Sequence, residues 1–247
     1  VANQHVFEEH SYELPMRWAD LDSLNHVNNV VYLDYAAESR AILIEDGIVG
    51  ADERVQRIAV DFLRPLLLSM RPVRVTSTRE GDELIQEITS GDTDTVFARV
   101  TTVFGPPVDV ERGTATFEPF LLRLRRSDVD ATGVASLTQA FEFFQEARII
   151  LFSSLRTDGS GASRFVVGHV DITFGEPIPW RREPYPVTSW ISRIGDSSIH
   201  IEAEIAEEGR LYAHARSVLV GFDMAAQTSR KLEDHEKKLL SEFIPER

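Results

Sequence analysis

The sequence predicts an α+β fold made twice, each half a long helix wrapped by an antiparallel sheet. Three observations carry that expectation. A gap-free offset of 108 residues aligns 16–43 with 124–151. Five of the seven identities fall in two patterns, Arg-x-x-Asp-x-Asp (Arg17, Asp20, Asp22; Arg125, Asp128, Asp130) and Glu-x-Arg (Glu38, Arg40; Glu146, Arg148), with Ile42/Ile150 and Leu43/Leu151 beyond. Each aligned stretch ends in an apolar run of helical length, and each run is followed by four segments of alternating polarity, the period of half-buried strands. Duplication explains all three, and sets the expected halves at 1–113 and 114–247.

The elements follow in order. A strand is expected at 12–18, then an acidic loop, then a helix over 29–45 with Asn28 or Asn29 as N-cap and Gly47 as its stop. That helix is apolar nearly all round, as a helix enclosed by protein is. Strands are expected at 57–63, 72–78, 83–89 and 95–104, where Val96, Ala98 and Val100 alternate with Arg99, Thr101 and Val103. Pro106 to Gly113 reads as the connector. The second half repeats the scheme: a strand at 117–126 and a helix at 137–152. That helix is opened by Ser136 with Gln139 three residues on, a capping-box spacing. A Gly159-Ser-Gly161 connector leads to strands at 163–174, 185–194, 198–206 and 210–222. A charged helix over 228–243 closes the chain.

Composition narrows the chemistry. None of the 247 residues is cysteine, so thiol nucleophiles, disulfides and thiolate metal clusters are excluded. The lysines are Lys231, Lys237 and Lys238, which excludes a P-loop lysine or a Schiff-base lysine in the body of the fold. A net charge of −14 disfavours nucleic-acid binding and anionic membrane surfaces. Neither a membrane span nor a secretory signal is expected, and the expected location is the cytoplasm. Catalysis is left to carboxylates, histidines, hydroxyls, arginines and backbone dipoles.

One stretch concentrates such groups. Arg17-Trp-Ala-Asp20 leads into Asp22-Ser-Leu-Asn-His26-Val-Asn28-Asn29, with Tyr32 and Glu38-Ser-Arg40 beyond. A carboxylate just ahead of a helix, with free amides at the helix N-terminus, offers an activated water and donors for a developing oxyanion. The run resembles the hotdog-fold thioesterases of the 4-hydroxybenzoyl-CoA thioesterase group and the related acyl-ACP thioesterases. The resemblance covers both halves and so implies a tandem, double-hotdog chain. It implies metal-free hydrolysis of an acyl thioester of CoA, or of acyl carrier protein, with no cofactor beyond CoA as part of the substrate. It implies Asp22 as general base or nucleophile, with amides near Asn28 and Asn29 polarising the thioester and His26 and Asn28 orienting water or the carboxylate. In some relatives a helical glutamate is the catalyst, which makes Glu38 a second candidate. Pairing of Glu38 and Arg40 with neighbours across the repeat is the favoured alternative.

The second half keeps Asp130 but puts Val134, Ser136 and Leu137 where His26, Asn28 and Asn29 stand. Asp130 is either a second working site or the remnant of one. Arg64-Pro65-Leu66 departs from the acyl-ACP pattern and tilts the carrier towards CoA. The clusters Arg123-Leu-Arg125-Arg126 and Trp180-Arg-Arg182 suit CoA phosphates, with Arg125 and Arg126 as the candidates, or are solvated strand ends. No metal site is expected: Asp20-x-Asp22 and Asp128-x-Asp130 lack a third ligand at a sensible spacing, and His169, His200 and His214 sit singly on strands. The expected partner is a small-molecule acyl thioester, with pairing into a homo-oligomer open. A non-catalytic acyl-CoA-binding protein and a hydratase or dehydratase are the competing readings.

Overall fold

The computed structural model describes residues 9–22, 25–91, 93–154, 165–223, 226 and 228–245. The chain divides into two compact units, Val1–Pro107 and Val108–Arg247.

In the first unit, β1 (His10–Leu14) leads through a 3₁₀ turn (Trp18–Asp20) to helix α1 (Val31–Glu45). Four strands follow: β2 (Val55–Phe62), β3 (Val73–Glu80), β4 (Glu83–Ser90) and β5 (Val96–Phe104). They form an antiparallel sheet in the order β1-β3-β4-β5-β2. The expected strand over 12–18 is shorter and earlier because Pro15 has no N–H for the ladder and the chain then tightens into the 3₁₀ turn. Helix α1 starts two residues late: the Asn28 side chain accepts the Val30 N–H (3.2 Å) and makes 28–30 a turn of its own. Gly47 ends it as expected, with φ +72°.

The helix lies on the inner face of the sheet. Leu43 packs with Val49, Leu84 and Phe104, each burial stabilising by about 1.5–3 kcal/mol. A polar seam runs beneath it. Gln86 donates to the Ala36 carbonyl (2.9 Å), Ser39 meets Ser77 (3.2 Å), and Arg40 donates to Thr102 Oγ1 (3.1 Å). These side chains fix the helix to β3, β4 and β5 at single positions, which apolar packing alone does not do.

The second unit repeats the plan. β6 (Phe120–Leu122) and a 3₁₀ turn (Arg126–Asp128) precede helix α2 (Leu137–Ser154). Then come β7 (Phe165–Phe174), β8 (Tyr185–Ile194), β9 (Ser198–Glu207) and β10 (Arg210–Asp223). The order is β7-β10-β9-β8-β6. Ser136 Oγ accepts the Gln139 N–H (3.3 Å), so the Ser136 half of the predicted capping box forms, while Gln139 Oε1 makes no return bond among the described residues. Leu151 and Phe152 meet Ile191, Ile199, Ile201 and Leu219 in the core. Arg148 donates to Ser217 Oγ (3.2 Å), the counterpart of Arg40 on Thr102. The expected strand over 117–126 shrinks to three residues, and the Gly159–Gly161 connector lies outside the described residues.

The tail is corrected. Thr228–Ser229 pairs with Phe222 and Asp223 as β11, and helix α3 spans only Asp234–Ser241. Arg230 to Glu236 (2.7 Å) ties the two together, and Leu240 is buried against the core. The start of the unit is tied down as well. Arg112 grips the buried Glu204 through two nitrogens (2.6 and 3.0 Å). Gly113 lies flat on Trp190, where a Cβ would overlap the indole. Among the described residues, no helix is long and apolar enough to cross a membrane.

Candidate active site

The Asp22 loop is a small closed structure. The Asp22 N–H donates to the His26 carbonyl (2.8 Å), and the His26 N–H returns to Asp22 Oδ1 (3.0 Å). Leu21 bridges Val27 and His26 bridges Leu67. The reversal at Asn25 has φ +59°, a region that asparagine tolerates better than most side chains. The second unit builds the same loop 108 residues on. Asp130 N–H donates to the Val134 carbonyl (2.9 Å), Val129 bridges Ala135, and Gly133 takes the left-handed position with φ +82°. The offset of 108 residues between the two segments thus joins loops with the same backbone hydrogen bond and bridge.

Two anchors hold the first loop to its helix. Asp20 Oδ2 accepts the Arg17 N–H (2.7 Å) and the Tyr35 hydroxyl (2.7 Å), while its backbone carbonyl accepts the Asn28 N–H (2.8 Å). Leu66, in the segment after β2, accepts the Val27 N–H on its carbonyl (2.8 Å) and donates its own N–H to the Tyr32 hydroxyl (3.1 Å). Burial raises the Tyr32 phenol to about 12, with the Leu66 N–H opposing and the nearby Asp22 charge adding to the rise. Burial, and then the bond to Asp20, push Tyr35 up further.

These contacts place the predicted residues. Asp22, His26, Asn28 and Asn29 share one loop at the start of α1, and Asp22 is half-buried. Neither asparagine is the N-cap expected of it, since that position falls to Val30; the Asn28 side chain instead closes the turn before the helix, and its N–H is held by Asp20. Among the described residues the Asn29 N–H meets no acceptor, so of this pair it is the amide open to a ligand. Glu38 lies further along α1 and is exposed. Its neighbour Arg40 bonds a hydroxyl on its own sheet, not a carboxylate.

Asp130 is placed differently. It is exposed, and its Oδ1 accepts from the Thr132 hydroxyl (2.6 Å), the Thr132 N–H (2.8 Å) and the Val134 N–H (3.3 Å). The Thr132 hydroxyl, with those amides behind it, holds its carboxyl below the usual aspartate range. The two tyrosines are also missing: Ala140 and Phe143 stand at the positions of Tyr32 and Tyr35. The sequence held this signal, since both differences sit inside the aligned segments, but nothing marked the hydroxyls as anchors.

Arg125 and Arg126 are both exposed beside this second loop, and Arg126 stacks 3.2 Å above the Trp180 ring. Arg181, from the other cluster, is engaged by Glu207 and lies over Tyr185. No group of three or more histidine, aspartate or glutamate side chains among the described residues is arranged to hold a metal ion.

Comparison with known proteins gives this geometry a family. The model described as "Acyl-ACP thioesterase C-terminal domain" matches residues 3–88, and that of the "Thioesterase-like superfamily" matches 124–244. No curated protein matches the sequence. Among solved structures, the 12:0-ACP thioesterase from Umbellularia californica is similar with TM-score 0.66 and 11% identity, over 86% of this chain and 94% of that one. A protein from Lactobacillus plantarum described as an oleoyl thioesterase gives 0.63 and 12%, over 90% and 98%. An acyl-ACP thioesterase from Bacteroides thetaiotaomicron gives 0.59 and 9%, over 85% and 97%. At such identities the likeness establishes the fold, a hotdog fold with its large antiparallel sheet and few helices. With a thioesterase model on each half, the chain belongs to the thioesterase-like superfamily and is a thioester hydrolase.

Proposed function

We propose that the chain is a double hotdog, divided at its 107–113 connector, that hydrolyses fatty-acyl thioesters at one carboxylate, Asp22, without a metal or other cofactor. One observation carries the reading: the Asp22 carboxylate is fixed just ahead of α1 by the His26 N–H, in the same loop as Asn29, whose amide meets no acceptor among the described residues. In this reading Asp22 takes a proton from water, and the water oxygen attacks the thioester carbon. The oxyanion that forms is met by the Asn29 N–H and the positive end of the helix. The C–S bond then breaks, and the thiolate, a good leaving group, takes up the proton that Asp22 received, which restores the carboxylate. His26 and Asn28 keep the loop in register. Glu38, on the exposed face of the helix, and Asp130, saturated by its own turn, have no place in these steps.

The carrier is CoA or acyl carrier protein. The Arg64-Pro65-Leu66 segment, which departs from the acyl-ACP pattern, favours CoA. The acyl-ACP reading has its own support, since the acyl-ACP thioesterase model falls on the half that holds the Asp22 motif.

Thiol release from acyl-CoA and acyl-ACP of matched chain lengths, followed with a thiol-reactive dye, tests both points. The absence of cysteine removes protein background. Asp22→Asn should lower turnover by about 10²–10⁴-fold, the usual worth of a general base, with the fold unchanged. Turnover within a few-fold of wild type would move the catalysis elsewhere.

A further inference from the structure

Four large apolar side chains stand in solvent around the Asp22 loop. Trp18 is 79% exposed, Leu67 58% and Leu63 50%, and Met70 is wholly exposed. Single exposed apolar residues need no explanation, but a group of them around one site marks a surface that is covered in use. The backbone ties this group to the loop. Leu67 bridges His26, and the carbonyl of its neighbour Leu66 accepts the Val27 N–H (2.8 Å). The Trp18 carbonyl accepts the Leu21 N–H (3.4 Å), and Leu21 in turn bridges Val27. Leu63 and Met70 flank Leu67 in the segment between β2 and β3.

The second unit shows that the fold does not require them. There Val134 bridges Pro179, and the Ile178 carbonyl accepts the Ala135 N–H (2.9 Å), so Ile178 and Pro179 take the places of Leu66 and Leu67. The match runs on without a gap into the next strand, since Val73 pairs with Leu14 as Tyr185 pairs with Leu122. Arg182 therefore stands at the place of Met70 and Gly175 at that of Leu63, while Arg126 aligns with Trp18. Two arginines, a glycine and a proline replace the four apolar side chains. The apolar rim occurs beside Asp22 and not beside Asp130. Its charge also differs from that of the chain. Segments 15–19 and 63–71 hold three arginines and no acidic residue in a protein of net charge −14, and Arg17 and Arg64 are exposed. Apolar side chains with cations among them suit an amphiphile that has a hydrocarbon chain and an anionic head.

We propose that this rim is an acyl-chain subsite: the hydrocarbon of a long-chain acyl thioester lies across Leu67, Met70, Leu63 and Trp18 when its carbonyl is at the Asp22 loop. The assignment rests on the reading of that loop as the place where acyl thioesters are cleaved. It adds that chain length is selected on the surface of the first unit. A short acyl group is too small to cover the rim, so the rim acts on long chains.

The test is the double variant Leu67→Asn, Met70→Gln, at side chains exposed enough to leave the fold unaffected. Half covering a side chain of this size with hydrocarbon is worth about tenfold in affinity. With dodecanoyl-CoA below its micelle concentration, kcat/KM should fall about tenfold or more, through KM, while butyryl-CoA stays within twofold. An equal loss at both lengths, or no loss, overturns the assignment. So does a change of oligomeric state in the variant, which would make the rim a contact between copies. Lost binding to phosphatidylcholine–phosphatidylglycerol vesicles with turnover unchanged overturns it too, in favour of a lipid-facing surface. An active Asp22→Asn overturns the Asp22 reading instead, and the contrast between chain lengths still decides the rim.

A second measurement reads binding without turnover. The chain has three methionines, and ¹³Cε-methionine NMR of Asp22→Asn follows them, with Met70→Gln assigning the signal. Dodecanoyl-CoA should move the Met70 signal, and butyryl-CoA should leave it in place. A signal that dodecanoyl-CoA does not move, or that both move alike, overturns the assignment.

Discussion

Replacing Tyr35 with phenylalanine removes one oxygen and one hydrogen bond, and the second unit has made the same change at Phe143. The bond is short (2.7 Å) and its acceptor is a carboxylate, which places it at about 1.5–3 kcal/mol. Asp20 keeps the Arg17 N–H and is partly solvated, so the lower end, about 1.5 kcal/mol, is the expected loss. For a chain of this length that is roughly 3–6 °C in Tm. The sign with pH follows from the raised phenol. Wild-type Tyr35 stays protonated when folded, while in the unfolded chain it ionises near pH 10. Its contribution is therefore complete below pH 10 and is lost as pH rises further. The assay is thermal or urea unfolding of both proteins at pH 7 and at pH 10.5. The variant should be less stable at pH 7, with the gap narrowing at the higher pH. Equal stability at pH 7, or a gap that widens with alkali, would refute the role given to the Tyr35–Asp20 bond.

The other expectations are simpler. Tyr32, raised to about 12, should contribute roughly 3 kcal/mol that is present below pH 10 and disappears between pH 10 and 12. Tyr32→Phe should accordingly flatten the alkaline limb of a urea-midpoint titration. Arg112→Met should cost about 1–3 kcal/mol by leaving the Glu204 carboxylate buried without its partner; Arg112 is itself 43% exposed, so the lower half of the range applies. A urea midpoint equal to wild type would contradict that. Gly113→Ala should force the connector off Trp190, costing about 1–3 kcal/mol and changing indole fluorescence.

Much of this fold was readable because its signals are local. The alternation of Ile199, Ile201 and Ala203 with His200 and Glu202 gave β9 to within a residue, and Ser136 gave the start of α2. Near prolines and in the tail the reading failed. Pro15 cut the first strand short, and Thr228 and Ser229, read as the start of the terminal helix, instead pair with Asp223 and Phe222 as a short strand. In the candidate site, the aspartate, the histidine and the asparagines were legible as a motif. Their anchors were not, since Leu66 reaches Tyr32 across 34 residues and Tyr35 reaches Asp20 across 15. No local pattern encodes such pairs. The arginine clusters show the same limit from the other side: a run of charge announced Arg181 but not that Glu207 already holds it.

The tie between the two ends of the second unit bears on how that unit comes apart. The Thr116 hydroxyl donates to the Phe243 carbonyl (2.8 Å), and the rings of Phe117 and Phe243 stack 4.6 Å apart, joining positions 127 residues distant. Closing so long a loop costs about 4 kcal/mol of chain entropy, more than one hydrogen bond and one ring stack return. The contact cannot gather the unit; it forms once the sheet has already brought both ends together. It should therefore be absent from the folding transition state and act mainly on the rate of escape. A substitution at Phe243 would leave refolding at its normal pace while the unit frays and unfolds faster.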